Sequence, residues 1–209
     1  MTIEPIILVG AGGHARACID VIEQQGQFTI VGLVGRSHEV GTSVLGYPVL
    51  GTDADLPELR HKSPNALVTL GQIKTPKHRI RLFELLLQMG FCLPTIVSPQ
   101  AYVSRHSRVG EGTIVMHGAL VNAGASVGRN CILNTRAVVE HDVVIGDHCH
   151  VSTTVIINGG TQVGAGTFIG SNSSLREQIR VGQNCLIGMG QQVLRDVEDG
   201  SQVMNRPLA

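Results

Sequence analysis

A histidine between two acids is the residue of this chain best suited to acid–base chemistry. His141 stands between Glu140 and Asp142 in the stretch Val-Val-Glu-His-Asp. A carboxylate beside an imidazole can fix one tautomer of the ring and make the ring a stronger base. A lone histidine on a protein surface is more often a solvated side chain, so both interpretations stay open from these residues alone.

A glycine-rich turn near the N-terminus is the second candidate site. An apolar run, Ile6–Val9, leads into Gly-Ala-Gly-Gly-His at residues 10–14, and a predicted helix begins near Ala15. Such a turn frees backbone N–H groups and places a phosphate at the positive end of the helix. Ala15 replaces the last glycine of the dinucleotide pattern, and no acid ends the next apolar run, Phe28–Val34. The phosphates of a nucleotide-sugar therefore fit better than a dinucleotide, and a turn without a ligand is the remaining alternative.

Two nested repeats describe the element that must carry His141. From Val103 to Val193 every sixth residue is aliphatic, sixteen times in succession. Neither a helix nor an ordinary strand has this period, so the pattern predicts a parallel β-helix of hexapeptide repeats, with three hexads in each coil. Five coils would stand roughly 24 Å tall. We expect the glycines spaced by 18 residues to supply backbone angles that other residues avoid: Gly110, Gly128, Gly146, Gly164 and Gly182.

The residues before the repeat predict a different domain. After the first strand, helix and second strand come a strand at Ala66–Leu70, which ends at Gly71, and a helix at Pro76–Met89. This order is typical of β-α-β units. We therefore predict a small Rossmann-like domain over residues 1–95 and a β-helix with a C-terminal tail over residues 96–209. We expect the first domain and the tail to cover the two open ends of the prism.

Composition excludes several classes of function. The chain has 16 basic and 16 acidic residues, and 3% of its residues are aromatic, which argues against binding to nucleic acid or anionic membranes. No signal peptide or transmembrane run is visible, so we predict a cytoplasmic protein. The five cysteines form no Cys-x-x-Cys pair. Cys131, Cys149 and Cys185 share one corner position, which favours structural filler over a disulfide or metal site.

The whole chain resembles a bacterial family of hexapeptide-repeat enzymes, the sialic acid O-acetyltransferases and nucleotide-aminosugar N-acetyltransferases. The resemblance rests on the turn at residues 10–14, on the stretch at residues 132–142, and on Ile-Gly-Asp-His-Cys-His at residues 145–150. It implies a left-handed β-helix and acetyl-CoA as the co-substrate. It also implies a homotrimer with active sites between subunits.

The resemblance also implies roles for individual residues. His141 matches the general base and Asp142 the acid that raises its basicity. The residues that match the nucleotide-sugar site are Gly12, Gly13, His14 and Gly71. Those that match acetyl-CoA contacts are His150, Ser171 and Met189. His117 and Asn158 are further candidates for ligand or inter-subunit contacts. Members often have acidic residues after the second strand, where this chain has Val34 and Gly35.

The predicted reaction is direct acetyl transfer to the amino group of a UDP-, dTDP- or GDP-linked 4-amino-4,6-dideoxy sugar, for polysaccharide biosynthesis. O-acetylation of sialic acid is the alternative, although a nucleotide-binding domain is hard to explain for a free sugar. Two other classes are a zinc carbonic anhydrase on the same prism and a scaffold without catalysis. Zinc ligands there lie 36 residues apart, whereas His106 and His141 are 35 apart, so no metal is expected.

Overall fold

The first part of the chain is a small α/β domain. The computed structural model describes residues 3–204. The elements of this domain are β1 (Glu4–Val9), α1 (Gly13–Gln25), β2 (Phe28–Val34), a 3₁₀ turn (Ser37–Glu39), β3 (Ser43–Val44), β4 (Tyr47–Gly51), a 3₁₀ turn (Asp53–Asp55), α2 (Leu56–Lys62), β5 (Asn65–Val68) and α3 (Lys77–Gln88). The sheet order is β3-β4-β2-β1-β5, parallel except between β3 and β4.

Helices cover both faces of this sheet. The apolar side chains of α1 recur at helical spacing and pack on one face, where Ile19 and Ile22 are fully buried. The helices α2 and α3 pack on the other face, for example through Leu56 and Phe83. Because both faces are covered, β1 is apolar over almost its whole length instead of alternating. The predicted Rossmann-like arrangement is confirmed.

The rest of the chain coils into a prism of two-residue strands. In chain order these are β6 (Ile96–Val97), β7 (Tyr102–Val103), β8 (Arg108–Val109), β9 (Ile114–Val115), β10 (Leu120–Val121), β11 (Ser126–Val127), β12 (Ile132–Leu133), β13 (Val138–Val139), β14 (Val144–Ile145), β15 (His150–Val151), β16 (Ile156–Ile157), β17 (Gln162–Val163), β18 (Phe168–Ile169), β19 (Ser174–Leu175), β20 (Arg180–Val181), β21 (Leu186–Ile187), β22 (Gln192–Val193) and β23 (Gln202–Val203).

From β6 to β22, every third strand belongs to the same parallel sheet, so the prism has three faces. The first face holds β6, β9, β12, β15, β18, β21 and β23; the second face begins with β7 and the third with β8. Partners lie 18 residues apart, as in the pairing of Val139 with Ile157. The second residue of each strand points inward, and from Val115 to Val193 these aliphatic side chains form one buried core. The predicted left-handed β-helix is confirmed.

The corner glycines serve a purpose other than the predicted one. Gly128, Gly146 and Gly164 do not adopt the left-handed region. A Cβ on Gly146 would instead lie 2.7 Å from the backbone nitrogen of Ala165 in the next coil. Glycine is required here because successive coils approach closely. The left-handed residues come two positions later at the same corner, at Asn130 and His148 among others.

Small side chains at the corners connect the coils. Thr113, Thr167 and Ser173 each donate a hydrogen bond to a carbonyl 15 residues later. The thiols of Cys131 and Cys149 make the same bond, to the carbonyls of Gly146 and Gly164. All three corner cysteines are free and buried, in agreement with a structural role.

The α/β domain packs against a side of the prism, whereas we expected it to cover an end. The outward residues Ile114, Ile132 and Met116 of the first face are buried in the same cluster as Ile19 and Ile22 of α1. Hexad patterns specify which residues point inward and carry no information about which face is covered. At the far end of the prism, β23 pairs with β21 and extends the first face. The final residues of the predicted tail, 205–209, lie outside the described part of the chain.

Candidate active site

A cleft of ≈ 510 Å³ opens where the strands of the α/β domain end. Val9, Val34 and Thr69, at or beside the carboxyl ends of β1, β2 and β5, form its floor. In parallel α/β sheets, ligands bind at this edge. The predicted substrate-binding residues all line the cleft: Gly12, Gly13, His14 and Gly71.

The glycine-rich turn leaves room for a ligand at the start of α1. Gly12 precedes the helix, no side chain caps its N-terminus, and its first turn contains no acidic residue. A Cβ on Gly12 or Gly13 would meet nothing within 4 Å, so both positions face open space. The positive end of the helix dipole and its free N–H groups suit a phosphate. Phosphate binding by this turn stays a prediction.

His14 lies at the inner wall of the cleft. Burial, followed by the charges of Arg79 and His150, lowers its pKa to about 3. The ring centroids of His14 and His150 are 6.4 Å apart. His14 is therefore neutral at physiological pH, so a molecule in the cleft would meet a hydrogen-bonding group there instead of a charge.

His141 and Asp142 form a pair at an exposed corner of the prism. The Nδ1 atom of His141 lies 2.9 Å from Oδ2 of Asp142, and the two side chains are 64% and 72% exposed. Glu140 is engaged elsewhere, because its Oε2 accepts a bond of 2.9 Å from the Asn122 amide. The imidazole ring lies against Gly159, where a Cβ would approach Nε2 to 2.6 Å. If Nδ1–H donates a hydrogen bond to Asp142, Nε2 is the free basic nitrogen.

The three residues matched to acetyl-CoA occupy different environments. His150 is only 7% exposed; its Nδ1 lies 2.7 Å from the carbonyl oxygen of Gln72 in the α/β domain. Ser171 exchanges a hydrogen bond of 2.9 Å with Ser152 at the corner after the first face. Met189 lies one coil further and is 69% exposed. Their contacts with acetyl-CoA stay a prediction.

Within one chain, the structure does not bring His141 to the cleft. The α/β domain covers the first face and reaches the two corners beside it, through Asp20 on His117 and Gln72 on Gly166. His141 follows β13 on the second face, so it lies at the corner between the second and third faces, opposite that domain.

Comparison with known proteins identifies relatives over almost the whole chain. A family model described as the PglD N-terminal domain matches residues 5–84. A histidine-to-asparagine mutant of perosamine N-acetyltransferase from Caulobacter crescentus, solved with CoA and GDP-perosamine, is 32% identical; the match covers 96% of this chain and 93% of that one, with a TM-score of 0.90. The acetyltransferase domain of PglB from Neisseria gonorrhoeae FA1090 is 30% identical over 98% of both chains, with a TM-score of 0.87.

The chain belongs to the nucleotide-aminosugar acetyltransferases of the hexapeptide-repeat family. The predicted family, the enzyme class and the use of a CoA thioester are thereby confirmed. PerB from Caulobacter crescentus, in complex with CoA and GDP-perosamine, is a further match at 33% identity, over 95% of this chain and 92% of that one, with a TM-score of 0.88. In contrast to the solved structures, no curated protein sequence matches this chain.

Sequence reasoning missed the charged residues on the outer wall of the cleft of this acetyltransferase. Glu39 lies on a 3₁₀ turn, and its carboxylate accepts a 2.7 Å bond from the Arg36 backbone N–H. Arg81 of α3 pairs with Asp53 at 2.7 Å. All four residues line the cleft. No acidic residue ends the second strand, but Glu39 follows it five positions beyond Val34. The 3₁₀ turn places this acidic residue at the cleft.

A serine–histidine–aspartate chain connects the two domains of the acetyltransferase. Ser98 Oγ lies 2.7 Å from Nδ1 of His117, and Nε2 of the same ring lies 2.7 Å from Asp20 of α1. Ser98 is 1% exposed and also accepts a bond from the Gln100 backbone N–H. A buried hydroxyl cannot reach a substrate, so these three residues form a contact between the domains. Asn158, the other candidate for a ligand or inter-subunit contact, donates a hydrogen bond from its side-chain amide to the carbonyl of Leu175.

Residues 3–204 contain neither a candidate metal site nor a helix that could cross a membrane. No group of three or more histidine, cysteine, aspartate or glutamate side chains in that range could hold a metal ion. None of the helices described is long and apolar enough to span a bilayer.

Proposed function

We propose that this acetyltransferase transfers the acetyl group of acetyl-CoA to the amino group of a nucleotide-linked 4-amino-4,6-dideoxy sugar. The main support for this proposal is the similarity to an enzyme solved with CoA and GDP-perosamine. This similarity extends over more than nine-tenths of both chains. The open phosphate-binding turn supports a nucleotide-linked acceptor. A free sialic acid would leave this turn without a role, so O-acetylation remains the less favoured alternative.

His141 acts as the general base in this proposal. The amine attacks the thioester carbonyl and His141 Nε2 accepts the proton that the nitrogen loses. The carbon–sulfur bond then breaks, and the departing CoA thiolate takes this proton from the imidazolium. The products are the N-acetylated sugar and CoA. Asp142 accepts a hydrogen bond from Nδ1–H and stabilises the imidazolium that forms. The corner thiols of Cys131 and Cys149 are buried and bonded to carbonyls, which supports direct transfer over an acyl-enzyme.

A second subunit completes the active site. The His141 corner lies opposite the α/β domain of its own chain, so a neighbouring prism must supply this histidine to the cleft. The predicted homotrimer meets this requirement, with acetyl-CoA in the groove between prisms. Gly12, Gly13, His14 and Gly71 bind the nucleotide-sugar, while His150, Ser171 and Met189 lie along the path of acetyl-CoA. Both substrates are consistent with a cytoplasmic enzyme of polysaccharide biosynthesis.

Release of free thiol from acetyl-CoA tests this proposal. The acceptors are GDP-, UDP- and dTDP-linked 4-amino sugars and free sialic acid. We expect turnover with at least one nucleotide-sugar and a loss of about 10²-fold or more in kcat for His141→Asn. His106→Asn is the matched control, because His106 is an exposed histidine at the same corner. Turnover with sialic acid alone would assign O-acetylation, and a folded protein inactive on every acceptor would contradict acetyl transfer.

A further inference from the structure

A buried polar cluster lies behind the glycine-rich turn, between the two domains. We name it the Arg79 cluster; it consists of His14, Gln72, Arg79 and His150. Among the described residues, five buried side-chain atoms have no hydrogen-bond partner in the protein, and four of them belong to this cluster: His14 Nε2, Gln72 Oε1, Arg79 Nε and Arg79 Nη1. Buried polar groups are normally paired, so this concentration needs an explanation.

Arg79 is the only charged member of the cluster. It is 1% exposed, and its Nη2 donates bonds of 2.9 and 2.8 Å to the backbone and side-chain oxygens of Asn130. In residues 3–204 no carboxylate lies within ion-pair distance of it. Burial lowers its pKa to about 10, so the guanidinium stays charged at neutral pH. Two of its nitrogens therefore hold protons that need an acceptor.

Gln72 and His150 have fixed hydrogen-bond roles. The amide nitrogen of Gln72 donates to the Gly166 carbonyl at 3.1 Å, so its Oε1 is the acceptor that remains. His150 donates from Nδ1 to the Gln72 carbonyl, and the amide of Asn134 lies 3.4 Å from its Nε2. Both nitrogens of His150 are thereby occupied. The unpaired acceptor of the cluster is the Gln72 side chain.

The tautomer of His14 follows from its surroundings. His14 lines the cleft, and Nε2 is its buried end. The charge of Arg79 acts on this ring. A lone pair on Nε2 attracts the guanidinium, whereas an N–H there would point one positive group at another. A water molecule can accept two hydrogen bonds and donate two, which matches one N–H from each unpaired nitrogen of Arg79 and the acceptors on Gln72 and His14.

We propose that one buried water joins Arg79 to Gln72 Oε1 and His14 Nε2, and thereby holds His14 as the neutral Nδ1–H tautomer. His14 then presents a fixed N–H donor to the ligand in the cleft. Arg79 and Gln72 are positioning residues, because they act through His14. The identity of the ligand rests on the function proposed above, with the nucleotide-sugar phosphates as acceptors. The tautomer itself does not depend on that function.

Nitrogen NMR of the full chain, labelled with ¹⁵N-histidine, tests the tautomer directly. The chemical shifts of the two ring nitrogens distinguish the tautomers, and His14→Gln identifies the His14 signals by their loss. We expect Nδ1 to be protonated and Nε2 unprotonated, with no change between about pH 6 and pH 8. A protonated Nε2, or titration in this range, would overturn the proposal.

Two amide substitutions of His14 test its role in binding. The amide nitrogen of asparagine takes the position of Nδ1, and that of glutamine takes the position of Nε2. We expect His14→Gln to raise the KM of the nucleotide-sugar about 10-fold or more and His14→Asn to raise it less, with the KM of acetyl-CoA little changed. The reverse order contradicts the proposal. A wild-type enzyme without turnover on any nucleotide-sugar refutes the proposed function, and the NMR result still decides the tautomer.

Arg79→Met tests the positioning role. Methionine removes the donors and the charge but retains much of the side-chain volume. We expect an Nε2–H population of His14 to appear in the spectrum, which a purely structural role would not produce. If the His14 signals are unchanged in the folded variant, Arg79 is not the positioning residue. If the variant does not fold, the wild-type spectrum alone tests the tautomer.

Discussion

At the scale of single residues, Gly159 is the least expected part of the candidate catalytic corner. It lies 18 residues after His141, and the imidazole of His141 occupies the space above it. No motif in the sequence singles out this glycine. Its importance depends on the stacking of coils, which places the residue of one coil beneath the side chain of the previous one.

Gly159→Ala should therefore displace the His141 ring. The new Cβ would lie 2.6 Å from Nε2, closer than real contacts allow, so the imidazole must move from its observed position. We expect kcat to fall about 10-fold or more, because a small misplacement of a catalytic group is costly, while circular dichroism stays unchanged. Glu177→Ala, one coil further at the same exposed position, is the control. Full activity of Gly159→Ala would argue against this geometry for the base.

At the scale of elements, the prism could be predicted almost completely, whereas the α/β domain could be predicted only in part. The hexad pattern specifies each coil because its inward residues repeat without interruption. The strands β3 and β4 and the helix α2 were missed, since β3 has two residues and β4 includes Pro48 and Gly51. The helix α2 has seven residues and begins at Leu56-Pro57, too short for a periodic signal. Asp53, in the 3₁₀ turn just before α2, was missed together with these elements.

The contact between α1 and the prism also escaped prediction, because its three residues are far apart in sequence. Ser98, His117 and Asp20 form one chain of hydrogen bonds across the domain boundary. His117→Ala would leave the buried Ser98 hydroxyl without its ring partner. We expect a destabilisation of about 1–2 kcal/mol, seen as a lower midpoint in thermal unfolding. His61→Ala, at an exposed site on α2, should leave the midpoint unchanged. Equal midpoints for both variants would show that the contact adds no stability.

At the scale of the whole molecule, the domain interface should make the protein sensitive to acid. Burial lowers the pKa of His14 to about 3 and that of His150 to about 4. The unfolded chain, with a histidine pKa near 6.5, binds more protons than the folded protein below that pH. Stability should therefore be complete above about pH 6.5 and decrease as the pH falls toward 4.

Urea unfolding at about pH 7.5 and pH 5 measures this effect. Each of the two histidines should cost roughly 2 kcal/mol of stability at pH 5. His150→Gln should reduce the difference between the two pH values, because glutamine does not titrate. His106→Gln, at an exposed site, should not change it. A wild-type protein with equal stability at both pH values would contradict the neutral state of these buried rings.

The assembly of subunits can be tested by mixing two inactive variants. Gly13→Asp places a carboxylate in the proposed phosphate-binding turn, and His141→Asn removes the proposed base. If each active site takes its cleft from one subunit and His141 from another, mixed trimers of the two variants contain some sites with both parts intact. We expect co-expression to restore a measurable fraction of activity, whereas each variant alone stays inactive. No recovery in purified mixed trimers would mean that each chain supplies its own base.

The bonds between the two domains also govern how such a protein can change in length during evolution. Three of them reach the prism at Asn130, His150 and Gly166, which belong to successive coils. An extra coil inserted among these positions would move one partner away from the α/β domain by about 4.8 Å and break its bond. A coil added after Met189 would leave every one of these bonds, His141 and the residues matched to acetyl-CoA in place. We therefore expect duplication of repeats to be tolerated at the C-terminal end of the prism and selected against beside the cleft.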